Sequence, residues 1–148
     1  MSDYGRRLVI NLGFDRAIEE TIHALRDEGF DMAGRIDVRD YCKIVLDHDF
    51  RRYVILGALP SRITVPALLE NLDVGTILPA TVAVYELADG ETAVVAAVPF
   101  AAVLEDLAWR QSAPKLAALA DEESEALARA LDRLQRLAPR AESAAAIS

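Results

Sequence analysis

Apolar positions along the chain change their period several times, and each change marks an element. Arg7 to Leu12 carries Leu, Val and Ile in succession and stops at Gly13, the pattern of a first strand. Phe14, Ile18, Ile22 and Leu25 then recur at helical steps on one face, with Glu19, Glu20, Arg26 and Asp27 turned outward. Asp15 is expected to accept the free amide hydrogens of this helix's first turn, and Gly29 to supply the left-handed residue that ends it. Phe30 to Ile36 predicts a second strand, and Val38 to Leu46 a short helix with Val38, Tyr41 and Val45 inward.

Tyr53 to Leu59 predicts a strand that stops at Pro60, which has no amide hydrogen for a ladder. Thr64 to Leu72 predicts a helix with Pro66 in its first turn and Ala67, Leu68 and Leu72 on its apolar side. Gly75 to Pro79 reads as a turn. Thr81 to Leu87 and Glu91 to Val98 flank Asp89-Gly90, the strongest hairpin signal in the chain. Phe100 to Trp109 continues as a helix.

Pro114 to Ala138 carries Leu116, Leu119, Leu127, Leu131, Leu134 and Leu137 as one long stripe. Asp121, Glu122, Glu123 and Glu125 make its middle acidic and leave room for a short break, while Arg129, Arg133 and Arg136 favour the helix end electrostatically. The expected architecture is α+β: a mainly antiparallel sheet packed against helices, in one domain over residues 1–139, with 140–148 as a disordered tail.

Charge narrows the partners. Lys plus Arg number 16 and Asp plus Glu 24, so the net charge is -8, which opposes a nucleic-acid backbone. The longest apolar stretch, Thr92 to Leu104, is broken by Pro99 and falls short of the ~20 residues of a membrane span. No leader-like stretch opens the sequence. A single cysteine, Cys42, excludes an intrachain disulfide or a multi-thiolate metal site and points to a reducing compartment. A cytoplasmic protein without membrane or nucleic-acid partners is expected.

Candidate chemistry is thin. Cys42 with His23 or His48 as base would make a nucleophile, but Asp37 and Asp40 lie nearer in sequence and would raise the thiol pKa. Asp47, His48 and Asp49 have metal-ligand chemistry, yet adjacent residues converge poorly on one ion, and a charged loop accounts for them. Glu19 and His23 sit one helical turn apart and read as solvent-facing. No glycine belongs to a phosphate-binding fingerprint. Phe50, Tyr53, Tyr85, Phe100 and Trp109 are first of all core material.

One string is more specific. Asp49-Phe50, Tyr53, Ile55-Leu56-Gly57-Ala58, a helix, then Val74-Gly75, Leu78-Pro79 and Val82 resemble the domain of unknown function family 302 (DUF 302) of bacteria and archaea. The opening strand and helix and the step Glu28-Gly29-Phe30 fit it too, so the resemblance spans nearly the whole chain. It implies a TATA-binding-protein-like α+β fold, a curved antiparallel sheet gripping a long helix, and a homodimer. The family's function is unassigned, so the resemblance implies no catalytic residue, and fold kinship does not carry DNA binding with it. Relatives often have a cysteine after Ile-Leu-Gly-Ala and another after Leu-Pro, where this chain has Leu59-Pro60 and Ala80-Thr81.

The reading that follows is a non-enzymatic homodimeric module, with no cofactor or metal, for a small apolar ligand or a protein partner. The ligand is expected between sheet and helix, against Phe50, Tyr53, Leu78, Pro79, Thr81 and Tyr85, positions near the family motif. The alternative is an enzyme using carboxylates with His48 or Thr81 at the sheet edge.

Overall fold

The computed structural model describes residues 5–88 and 90–140. Five strands, β1 (Arg6–Ile10), β2 (Phe30–Asp37), β3 (Tyr53–Pro60), β4 (Ala80–Ala88) and β5 (Glu91–Ala97), form one antiparallel sheet in the order β1-β5-β4-β3-β2. The sheet is open, with β1 and β2 at its edges. Its centre is the expected β4–β5 hairpin, in register through Val84 and Val94, with Gly90 at φ +78° in the connection. Asp89, the other half of that expected turn, lies outside the described residues, as does 141–148 of the expected tail.

The helices are α1 (Phe14–Asp27), α2 (Val38–Leu46), α3 (Ser61–Glu70), α4 (Pro99–Val103), α5 (Leu107–Ser112) and α6 (Pro114–Leu137), with a 3-10 turn at Leu72–Ile77. Alternation along the strands sorts the sheet into two faces. Leu8, Ile10, Val54, Leu56, Ala58, Val82, Val84, Val94 and Ala96 are buried together with α1, α3, α4 and α6 residues in one core. Helix α6, about 36 Å long at 1.5 Å per residue, supplies Leu116, Ala117, Ala120, Ala126, Leu127, Ala130, Leu131 and Leu134. Alanines among the leucines let the helix approach closely, while Leu137, expected on the stripe, is exposed to solvent.

Helix α6 runs antiparallel to α1. Arg129 pairs with Glu28 at 2.7 Å, and Arg133 pairs with Asp27 and Glu28 at 2.8 Å each. Beyond the helix, the Asn11 N–H donates to the Ala138 carbonyl at 3.0 Å, and Ile10 bridges Pro139, tying the helix end to β1.

Four expectations are corrected. Gly13, not Asp15, precedes α1 without a side-chain cap, and Asp15 pairs instead with Arg52 at 2.5 Å. Helix α3 begins at Ser61, because the Ser61 amide and hydroxyl both donate to the Gly29 carbonyl, at 3.1 and 3.0 Å, and hold its start against the end of α1. Pro66 therefore lies inside the helix rather than in its first turn. The segment Phe100 to Trp109 is two helices, since the Asp106 carboxylate accepts the Trp109 N–H at 3.2 Å and starts α5 afresh. Helix α6, by contrast, passes unbroken through its acidic middle, where Arg110 holds Asp121 at 2.5 Å.

Removing the Leu131 side chain should leave a cavity at the α6–sheet contact. Leu131→Ala is expected to lower stability by about 3 kcal/mol in urea unfolding, while Gln135→Ala, exposed on the same helix, shifts it by less than ~0.5 kcal/mol.

Candidate functional site

The second face of the sheet carries no core. Cross-strand register aligns Ile36, Ile55, Ala83, Val95 and Arg7 in one row across all five strands, and Tyr53, Tyr85, Ala93 and Val9 in the next. Gly57, Thr81 and Ala97 form a third. These positions are half-buried or exposed apart from Ala93, which is buried yet lies outside the main core. The face is apolar, shallow and built from small residues at its centre.

Aromatic rings mark one end. Tyr53 and Tyr85, directly opposed across β3 and β4, stack with centroids 5.1 Å apart and planes 7° from parallel. Phe50 tilts against Tyr53 at 6.2 Å, and Arg7 Nε donates to the Tyr85 hydroxyl at 3.3 Å. The other end is small and tight. A Cβ on Gly57 would lie 3.2 Å from Pro79 Cγ, so the proline ring rests on the strand where a side chain is missing.

The six expected ligand residues thus fall into separate groups. Phe50, Tyr53 and Tyr85 cluster. Thr81 and Pro79 lie about 13 Å along the strands from them, at four residues of 3.3 Å each, and Leu78 packs against the core edge. Tyr53, Tyr85 and Thr81 share the face opposite the helices, so the space they border is outside the sheet rather than between sheet and helix. The inner space beside them is filled by Val54, Leu56, Val82 and Val84, each no more than 1% exposed.

Helix α2 borders this region and is its largest departure from expectation. None of its residues is buried. Tyr41 and Val45, expected inward, are exposed, and Ile44 is 82% exposed. The helix is short and follows β2 at once, with Asp37 capping it by accepting the Asp40 N–H at 2.9 Å. It therefore projects from the edge strand, with its main contacts to β2 and β3.

Beside the aromatic end lies a cleft of about 330 Å³ lined by Phe14, Asp15, Arg35, Asp37, Arg39, Asp40, Arg52 and Tyr53. Arg52 spans its wall, with its guanidinium carbon 4.6 Å from the Phe14 ring centre and its Nη2 on Asp15. Three arginines face three aspartates there, so the cleft is polar and balanced in charge.

The candidate reactive groups do not assemble. His48 is exposed, and its ring has no hydrogen-bond or ion-pair partner among the described residues; its backbone N–H donates to the Cys42 carbonyl at 3.1 Å. Lys43 pairs with Asp47 at 3.1 Å and Asp49 at 3.5 Å, so the loop carboxylates already have a cation. Cys42 is a half-buried free thiol. Glu19 and His23 face solvent, as expected. Among the described residues no set of three or more His, Cys, Asp or Glu side chains is placed to hold a metal ion, and no helix is long and apolar enough to cross a membrane.

One group escaped the sequence reading. Glu123 is fully buried, and burial pushes its carboxyl up to about 7. Its signal was present: Leu116, Ala120, Glu123, Leu127, Leu131 and Leu134 follow a single three- and four-residue rhythm. Grouping Glu123 with its acidic neighbours concealed it.

The family model for Domain of unknown function DUF302 matches residues 7–134. The chain belongs to the DUF302 family. A solved structure, described as an uncharacterized conserved protein DUF302 from Bacillus stearothermophilus, is similar, with 26% identity, a TM-score of 0.73, and coverage of 90% of this chain and 99% of that one. No curated protein matches. The DUF302 assignment agrees with the open antiparallel sheet and the long C-terminal helix, and with the resemblance carried by Ile55-Leu56-Gly57-Ala58 and Leu78-Pro79.

The ring stack at the aromatic end is open to measurement. A double-mutant cycle with Tyr53→Ala and Tyr85→Ala should give a coupling of about 1 kcal/mol in stability, the size of a stacked pair on a sheet surface; a coupling near zero would mean that the rings do not stack in solution.

Proposed function

We propose that this DUF302 protein is a non-enzymatic, homodimeric binding module of the cytoplasm. Its open sheet face and α2 meet a second copy, and the apolar space beside Phe50, Tyr53, Pro79, Thr81 and Tyr85 takes a small apolar ligand or a partner segment. One observation carries this reading. Ile36, Tyr41, Ile44, Val45, Leu46 and Phe50 are all exposed within one stretch that borders an uncovered apolar sheet face. Exposed apolar surface of that continuity usually marks an interaction site.

Charge favours a second copy over other acidic partners. Residues 35–52 contain Arg35, Arg39, Lys43, Arg51 and Arg52 against Asp37, Asp40, Asp47 and Asp49, a local balance of 5 minus 4, or +1, in a chain of net charge -8. Two copies would repel one another least through this patch. A two-fold contact brings the same mixed patch against itself, so unlike charges can be opposed. No observation favours the enzyme alternative, since its best candidate, His48, is exposed and its ring has no partner among the described residues.

Sedimentation velocity over a range of concentrations tests the dimer. The wild type is expected to dimerise, and Ile44→Asp to weaken association by roughly tenfold or more, by placing a charge in the apolar patch. A strict monomer at every concentration would overturn the reading. Thermal shift with anilinonaphthalene sulfonate as an apolar probe addresses the ligand: stabilisation by the probe, reduced in Tyr85→Ala, is expected, and a lack of any shift counts against a ligand space on this face.

A further inference from the structure

Glu123 lies on the inner stripe of α6, between Ala120 on one turn and Leu127 on the next, and among the described residues neither carboxyl oxygen has solvent access or a hydrogen-bond partner. The chief elements packed on α6 are α1, α3, α4, α5 and β1. Their charged groups are engaged elsewhere or turned away. On α1, Asp27 and Glu28 are held by Arg133 and Arg129, while Glu20 and His23 line a cleft with Arg133 and Leu137. On α3, Glu70 faces Lys115 and Arg62 is exposed. Arg110 of α5 takes Asp121, α4 carries no titratable side chain, and Arg6 of β1 takes Asp132. Among the described residues nothing charged reaches Glu123, and desolvation raises its proton affinity.

An unpaired carboxylate in such a site is far more costly than the neutral acid. The helix is pinned on either side of it. Lys115 and Asp121 are tied to α3 and α5, and Arg129, Arg133 and Ala138 to α1 and the β1–α1 connection. Glu123 lies between these two sets of ties, so opening of the segment between Asp121 and Arg129 leaves both in place. We propose that Glu123 is a proton-operated latch: as the neutral acid it lets the middle of α6 seat against its neighbours, and on releasing its proton to solvent it opens that segment to water.

The direction follows from linkage. An opened Glu123 titrates near the ordinary 4.5 and the seated one near 7, so the closed state holds the extra proton between those values. Closure is strongest below about 4.5, weakens as pH rises through the window, and reaches its constant weaker level above about 7. The latch lies on the inner side of the sheet and is independent of the binding face proposed above.

Hydrogen exchange on the full chain, corrected for the intrinsic pH dependence of amide chemistry, tests it. From pH 5.5 to 8 the opening equilibrium of α6 amides should grow roughly 30-fold in the wild type and stay flat in Glu123→Gln and in Glu123→Met. The comparison removes every pH response that the three proteins share. An equal pH response in wild type and variants overturns the latch. Should the Gln variant fail to fold, the Met variant and direct carbon NMR titration of the wild-type Glu123 carboxyl decide. A midpoint near neutrality supports the latch, and one in the ordinary carboxylate range overturns it.

Discussion

Burial of the α6 stripe against α1, α3, α4, α5 and the edge strand β1 is the contact on which the remaining architecture depends. Leu116, Leu127, Leu131 and Leu134 contribute most of the helix's buried bulk, and Ala117, Ala120, Ala126 and Ala130 let its backbone come close. Each buried leucine is worth about 2 kcal/mol of transfer free energy, so the stripe outweighs the ion pairs that Arg129 and Arg133 make with Asp27 and Glu28. Those pairs set register more than stability. They fix which turn of α6 meets the end of α1, and the Asn11–Ala138 hydrogen bond closes the far end.

A sheet has two faces, and α1, α3, α4 and α6 all pack in the core on one of them. The consequence is visible in burial. Inner residues such as Val54, Val82 and Val94 are sealed, while Ile55, Ala83 and Val95 in the neighbouring positions remain half-exposed. Helix α2 does not repair the imbalance, since it leaves β2 immediately and buries none of its own residues. Two apolar surfaces, the outer sheet face and α2, are thus left uncovered by the same shortage of helix. The polar cleft of Arg35, Arg39 and Arg52 with its aspartates lies at their margin, beside Tyr53, and is balanced in charge.

The inner side holds a different tension. Glu123 occupies a position that the rhythm of α6 assigns to the core, in surroundings that offer its carboxyl nothing to bond. An apolar residue there would remove the penalty altogether. Its presence makes the seating of the central helix sensitive to protons, without involving the face where recognition is proposed.

Much of this was legible in the chain. Asp89-Gly90 between β-rich runs specified the central hairpin, the Phe14, Ile18 and Leu25 steps specified α1, and the leucines after Pro114 specified α6, because each depends on φ/ψ preference or periodicity within a few residues. The string around Gly57 and Pro79 carried the family. The sequence could not say which strand face would be covered, for Ile55 and Leu56 are equally apolar and only the packed helices distinguish them. Nor could it show that Tyr41 and Val45 would stay in solvent, that Ser61 would start a helix from the Gly29 carbonyl, or that Glu123 would face inward without a partner. Local pattern determined the elements. Which surfaces were buried, and which charge was stranded, was decided by long-range packing, since burial is a property of what lies opposite a residue rather than of the residue itself.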